Sequence, residues 1–313
     1  MSVRHFLDLG DLDPSELRRI LDDAHARKKA WKAGERPHRH ERPLSDRAVA
    51  LMFDKPSTRT RTSFDVGIRQ LGGEVIHLAS SGMHMGADAK QTGGETLEDT
   101  AAVLSRYVDA IMLRTTAHER LLRMASAATV PLINGLTDDT HPCQIMADIM
   151  TFEEHRGPIA GRTLAWVGDG NNVLASLMQG AKAFGYQMKV ATPEGREPDE
   201  RFVHDGVEIG HDAQWAVNGA DAVITDTWVS MGDTVEDAHA LFEPFRVDET
   251  LMGHAADGAI FMHCLPAHRG EEVVDAVLDG PASVVLDEAE NRLHAQKSVL
   301  VWCLAPEHLS SPA

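Results

Sequence analysis

Short apolar runs alternate with helix-patterned segments in two series along this chain, and the two series meet at Gly157-Pro158. The first series predicts strands over 48–53, 74–78, 109–113 and 130–133 with helices over 62–71, 96–106 and 118–127. The second predicts strands over 163–167, 188–191, 222–225, 260–264 and 284–286 with helices over 172–184, 249–255 and 271–278. Strand and helix in regular alternation leave few choices: a parallel sheet with helices on both faces. Read twice, the pattern gives an α/β chain of two doubly wound parallel-sheet domains. A helix over 144–155 leaves the first series and another over 292–303 follows the second. Ahead of both, residues 1–40 read as an arm and a helix, with Asp13 as cap, Pro14 at the first helical position and Glu16 at the third.

A length of 313 residues suits two domains. Hydrophobic residues make up 43 % and charged residues 25 %, a globular balance, and no apolar run nears the ~20 residues of a membrane span. No secretory or transit-type pattern opens the chain, so a cytoplasmic location is expected. A net charge of −18 argues against nucleic acid, whose phosphates require a basic face. Any anionic substrate must therefore be drawn in by local arginines. Cys143, Cys264 and Cys303 are odd in number and widely spaced, as expected of reduced thiols.

The most informative turn is Asp54-Lys55-Pro56-Ser57-Thr58-Arg59-Thr60-Arg61, between the apolar run 48–53 and the helical face of Phe64, Ile68 and Leu71. Ser57, Thr58 and Thr60 are capping-type residues at a helix N-terminus, where peptide N–H groups and the helix dipole favour an anion. Arg59 and Arg61 add charge-assisted bonds to phosphate oxygens. The turn reads as a phosphate cradle, against the plainer reading of a capped helix with surface arginines.

Other chemistry-bearing residues also sit at strand ends, where parallel α/β folds collect their ligand contacts. Arg114 follows the run 109–113. His141-Pro142-Cys143-Gln144 opens a helix, and the dipole there disfavours an imidazolium, so His141 reads either as a neutral hydrogen-bond donor or as a capping-region histidine. Gly168-Asp169-Gly170-Asn171-Asn172 invites a dinucleotide-binding reading, but Val173 stands where the third glycine is needed. Asp226-Thr227-Trp228-Val229-Ser230-Met231-Gly232 places a carboxylate beside a flexible loop, suited to a substrate ammonium or to a simple Asx turn. In His263-Cys264-Leu265-Pro266, proline stops regular pairing and leaves carbonyls to accept from a ligand, unless this is only a strand end. His141 with Cys143, and His263-Cys264 with His268, lack the paired spacings of a zinc site.

Taken together and in this order, Ser-Thr-Arg-Thr-Arg, Arg114, His141-Pro142-Cys143-Gln144, Asp226 with its Ser-Met-Gly loop, His263-Cys264-Leu265-Pro266 and Arg292 resemble the aspartate/ornithine carbamoyltransferase family over nearly the whole chain. The resemblance implies a carbamoyl-phosphate domain over 1–145, an amino-acid domain over 146–290 and a C-terminal helix over 291–313 that returns to the first domain, the domains being linked by two crossing helices. It implies that Ser57, Thr58, Arg59, Thr60, Arg114, His141, Gln144, Cys264, Leu265 and Arg292 bind carbamoyl phosphate, with His84 reaching in from a neighbouring subunit. Asn172, Asp226, Ser230 and Met231 would hold ornithine, and Arg59, Arg114, His141 and Cys264 would carry the chemistry.

The implied reaction moves the carbamoyl group of carbamoyl phosphate to the δ-amine of L-ornithine, giving L-citrulline and phosphate. It needs no metal and no organic cofactor, because the leaving group is already activated, and the implied minimal form is a homotrimer. Cys264, polarised by Asp226, is expected to favour the neutral amine. Residues 87–94 make the loop after Met85 longer than the family's usual one. Alternatives are a carbamoyltransferase for aspartate, putrescine or an N-acylated ornithine, a nicotinamide-dependent oxidoreductase built on Gly168-Asp169-Gly170, and a non-catalytic binding protein.

Overall fold

A computed structural model describes residues 3–35, 41–79, 95–229 and 237–310. The chain divides into two compact units, residues 1–146 with 292–313, and residues 147–291. Each is built on one parallel sheet.

The first unit begins with α1 (Pro14–Lys32), started as its sequence predicts: the Asp13 carboxylate accepts from the Ser15 N–H and proline stands in the first turn. Then come β1 (Ala48–Phe53), α2 (Thr58–Gln70), β2 (Glu74–Ala79), α3 (Leu97–Leu104), β3 (Ala110–Arg114), α4 (His118–Ala127) and β4 (Leu132–Leu136). The sheet order is β2-β1-β3-β4, all parallel, with Phe53 level with Arg114. Strand order reverses between β1 and β3, the place where open α/β sheets form their ligand crevice. Beneath it Ala50, Met52, Ile111, Leu113, Leu121 and Leu132 are fully buried or nearly so, each of the five larger side chains contributing roughly 1.5–3 kcal/mol. Helix α2 begins four residues earlier than its apolar spacing suggests, because Ser57 caps it and draws Thr58, Arg59 and Thr60 into the first turn.

After α5 (Pro142–Arg156), the second unit carries β5 (Thr163–Val167), α6 (Asn172–Phe184), β6 (Gln187–Ala191), β7 (Val207–Gly210), α7 (Ala213–Val217), β8 (Ala222–Thr225), α8 (Ala238–Phe242), α9 (Glu249–Met252), β9 (Ile260–His263) and α10 (Asp275–Leu278). Its sheet runs β7-β6-β5-β8-β9, again parallel, so the reversal falls between β5 and β8. Val167, Val217, Val223 and Phe261 fill its core.

The structure departs from several expected elements. Residues 284–286 form no strand: α11 (Val285–Leu304) starts there, Leu286 is 77 % exposed, and only Ser283 makes a single bridge to Phe261. The last helix is therefore longer than expected. Strand β7 and helices α7 and α8 were not foreseen, and the helices expected over 249–255 and 271–278 each shrink to four residues. Among the described residues no helix is long and apolar enough to cross a membrane.

Candidate active site

In the first unit, the turn after β1 and the end of β3 converge on one hydroxyl. Ser57 Oγ accepts from the Thr60 N–H at 3.3 Å and so fixes the first turn of α2. Thr60 is buried, and its Oγ1 accepts from Arg114 Nη1 at 3.1 Å and from Arg292 Nη2 at 3.4 Å. With both lone pairs engaged, the Thr60 hydroxyl keeps its proton for a further acceptor, such as a substrate oxygen. Arg292, itself 4 % exposed, also donates from Nη1 to Gln144 Oε1 at 2.5 Å. Thr58 and Arg59 stand exposed on the same turn, while Arg61 lies over the Phe53 ring with its guanidinium carbon 4.4 Å from the centroid.

His141 is buried just ahead of α5. Burial first, then the guanidiniums of Arg292, Arg114 and Arg59, holds its pKa well below the ordinary histidine value. The imidazole is therefore neutral and can stabilise a developing oxyanion only as a hydrogen-bond donor, as the dipole argument anticipates. Cys143, buried beside it in sequence, has its thiol pushed up to about 12 by burial and donates to the Asn134 carbonyl at 3.4 Å. It is a packing residue.

In the second unit the focus is Asp226, at the end of β8 and 9 % exposed. Its Oδ1 accepts from the Thr227 N–H at 2.8 Å and from Cys264 Sγ at 3.2 Å, and its Oδ2 accepts from Asn171 Nδ2 at 2.9 Å. Burial, then the carboxylates of Asp226, Glu288 and Asp148, raises the Cys264 thiol well above its usual range, although part of the residue reaches the surface. Cys264 is thus a protonated donor to Asp226 and not a thiolate base. The hydrogen bond to Asp226 is the contact expected of this pair, and it leaves the proton on sulfur.

The sequence points to Asn172, but in the structure it is the Asn171 side chain that reaches Asp226. Asn171 Oδ1 accepts from the Val173 and Leu174 N–H groups as the cap of α6, which frees its amide to reach Asp226. Asn172 is the first residue of α6 and half-buried. The same cap answers the dinucleotide reading: amides that a pyrophosphate would need are already taken by Asn171. Gly170 is backed against the Arg196 carbonyl and the Glu197 backbone, where any Cβ would clash.

The segment after β9 is held from below by two buried acids. His263 Nδ1 accepts from the Leu265 N–H at 2.9 Å, so Nε2 carries the ring proton and donates to Glu272 Oε1 at 3.2 Å. The His263 N–H donates to Glu288 Oε2 at 2.9 Å, and the His268 N–H donates to Glu272. Leu265 is held in the left-handed region at φ 57°, at a strain of roughly 1–2 kcal/mol for a branched side chain. Ligating atoms of Asp226, His263 and Cys264 lie within 4.8 Å of one another, as do those of His268, Glu271 and Glu272. A cation on the first trio would have to displace the hydrogen bonds just described. His84, Ser230, Met231 and the 87–94 loop lie outside the described residues.

Of the anticipated residues, then, Ser57, Thr60, Arg114, Gln144 and Arg292 are joined by hydrogen bonds in the first unit, and Asp226 and Cys264 in the second. Comparisons with known proteins match the two halves of the chain in turn. Residues 4–154 match the aspartate/ornithine carbamoyltransferase carbamoyl-P binding domain, and residues 160–303 match the Asp/Orn binding domain of the same family. An ornithine carbamoyltransferase of Agrobacterium fabrum is 61 % identical over 310 residues, covering 97 % of this chain and 98 % of that one. The solved structure of ornithine carbamoyltransferase from Pyrococcus furiosus aligns with a TM-score of 0.90 at 45 % identity, over 97 % of each chain. That from Burkholderia thailandensis aligns at 0.86 and 43 % identity, covering 97 % of this chain and 99 % of the other. With both halves matched in order and the guanidinium cluster and the paired carboxylate each at a sheet's reversal point, the chain belongs to the aspartate/ornithine carbamoyltransferase family.

Proposed function

We propose that the protein transfers the carbamoyl group of carbamoyl phosphate to the δ-amine of L-ornithine, releasing L-citrulline and phosphate. The observation that carries the choice of amine is Asp226, a nearly buried carboxylate whose partners are all neutral donors. Its charge is left to a substrate ammonium, whereas aspartate as acceptor would need cations there. Relatives named ornithine carbamoyltransferase, at 61 % and 59 % identity over nearly the full length, support the same choice.

In this reading Ser57, Thr58, Arg59 and Thr60 bind the phosphate, with His84 supplied by a neighbouring subunit. Thr60, Arg114 and neutral His141 donate to the carbonyl oxygen as it becomes an oxyanion, while Gln144, Arg292 and the carbonyls of Cys264 and Leu265 orient the carbamoyl nitrogen. Asp226, Ser230 and Met231 hold the α-amino end of ornithine, and the Asn172 amide its α-carboxylate. The δ-nitrogen attacks the carbonyl carbon, the carbon–oxygen bond to phosphate breaks, and the departing phosphate takes the proton that the nitrogen sheds. Positioning and electrostatics supply the acceleration, the oxyanion donors contributing about 10²–10³-fold each. The δ-ammonium, with a pKa near ~10, must be deprotonated beforehand, so the rate at subsaturating ornithine rises with pH. The active form is a homotrimer in the cytoplasm.

The test is citrulline formation from carbamoyl phosphate with ornithine, aspartate, putrescine and N-acetylornithine compared in parallel, and Arg59→Ala as control. Ornithine alone should be carbamoylated at speed. Faster turnover of any other amine would overturn the assignment.

A further inference from the structure

We propose that Arg196 is a positioning residue that fixes the carboxylate of Asp226 for the ammonium of the amino-acid substrate. The inference rests on the ornithine reading of the second unit and names a residue outside the motifs that suggested it.

Arg196 lies after β6, on neither of the strands that frame the reversal point, yet a closed ring of contacts passes through it. Its Nε and Nη2 donate to Asp169 Oδ1 at 2.7 and 2.6 Å. Its carbonyl accepts from the Gly170 N–H at 2.9 Å, so one residue grips the 168–171 turn by side chain and backbone together. That turn delivers Asn171 Nδ2 to Asp226 Oδ2 at 2.9 Å. On the other side the Arg196 guanidinium lies 6.0 Å from the centre of the Phe242 ring, which stacks on Trp228 at 5.8 Å and 15°. Trp228 is two residues from Asp226. Asp226 is thus held from its own strand end through Trp228, Phe242 and Arg196, and from the neighbouring strand end through Asp169, Gly170 and Asn171.

There is also an electrostatic reason for the arginine. Asp169 is 5 % exposed and close enough to Asp226 for the two charges to oppose each other. Burial raises the Asp169 pKa and Arg196 opposes that rise. Pairing Asp169 with Arg196 leaves Asp226 as the carboxylate whose charge a substrate must answer.

The full-length protein carrying Arg196→Met should show KM for ornithine raised about tenfold or more, with KM for carbamoyl phosphate within twofold of wild type. Arg196→Lys, which restores charge without the fork, should recover part of the loss. Because Asp226 also engages Cys264, loosening the ring should speed alkylation of Cys264 by iodoacetamide at pH 8 severalfold, a readout independent of turnover. The exposed Arg201→Met, whose side chain is 63 % accessible, should alter neither quantity. If Arg196→Met does not fold, Arg196→Lys and Arg196→Gln decide by the same KM split. An unchanged KM for ornithine, or a parallel rise in both KM values, would overturn the proposal. A wild-type chain inert toward ornithine whose Arg196→Met variant still exposes Cys264 would refute the substrate and keep the positioning role.

Discussion

At the scale of single residues, two protonation states bear on the proposed chemistry. Cys264 is kept as a thiol by burial and by nearby carboxylates, so its alkylation at pH 8 should be at least tenfold slower than that of free cysteine, followed by mass spectrometry of the 264-containing peptide. Cys264→Ser, which keeps a donor to Asp226, should keep more activity than Cys264→Ala. His141 is held neutral in the fold while its unfolded pKa is near ~6.5. Below that pH the unfolded chain binds a proton that the folded one refuses, so the stability tied to His141 is complete above about pH 6.5 and is lost as pH falls below it. The thermal midpoint should therefore fall more steeply between pH 7 and 5.5 in the wild type than in His141→Gln, by scanning calorimetry. Part of the cluster around Thr60 is legible residue by residue: Ser57, Thr60 and Arg114 follow from strand-end and cap arguments, whereas Gln144 and Arg292, which hydrogen-bond into the same cluster, enter only through the family resemblance. Asn171 is not legible, because two adjacent asparagines look alike in a sequence and only the cap geometry says which one turns toward Asp226.

At the scale of elements, α6 shows how one side chain does two tasks. Asn171→Ser keeps an oxygen for the cap but loses the amide, and should raise KM for ornithine with little change in thermal midpoint. Asn171→Ala loses the cap as well and should be less stable by about 1 kcal/mol. Differential scanning fluorimetry beside steady-state kinetics separates the two effects. The long alternating runs made most strands readable, but short edges defeated the pattern. Strand β7 has only Val207-Glu208-Ile209-Gly210 with Gly206 before it, too little apolar signal to stand out. Val284-Val285-Leu286 has β-branched residues and reads as a strand, yet the backbone turns helical there and leaves Leu286 in solvent. Local propensity yielded to the helix that follows.

For the whole molecule, a net charge of −18 repels an anion at long range, so on the proposed reading an acyl phosphate must be drawn in by the few clustered guanidiniums. Carbamoyl phosphate alone, at about 100 times its dissociation constant, should stabilise the fold by about 2.7 kcal/mol, seen as a rise in thermal midpoint. Arg59→Ala or Arg292→Ala should abolish most of that rise, whereas Asp226→Asn should leave it in place. A rise of equal size in all three would show that the anion binds elsewhere.

The first unit is discontinuous: its residues come from both ends of the chain, and Arg292 arrives only after the whole second unit has been made. During synthesis the second unit can close while the anion-binding unit still waits for its last guanidinium, a reversal of the usual N-terminal-first order. A ribosome that stalls anywhere in residues 147–291 therefore releases a fragment with the phosphate turn but no Arg292 to donate to Thr60 and Gln144. Such fragments should be blind to the labile carbamoyl donor, so translation must pass residue 292 before the cell acquires a protein that can capture it.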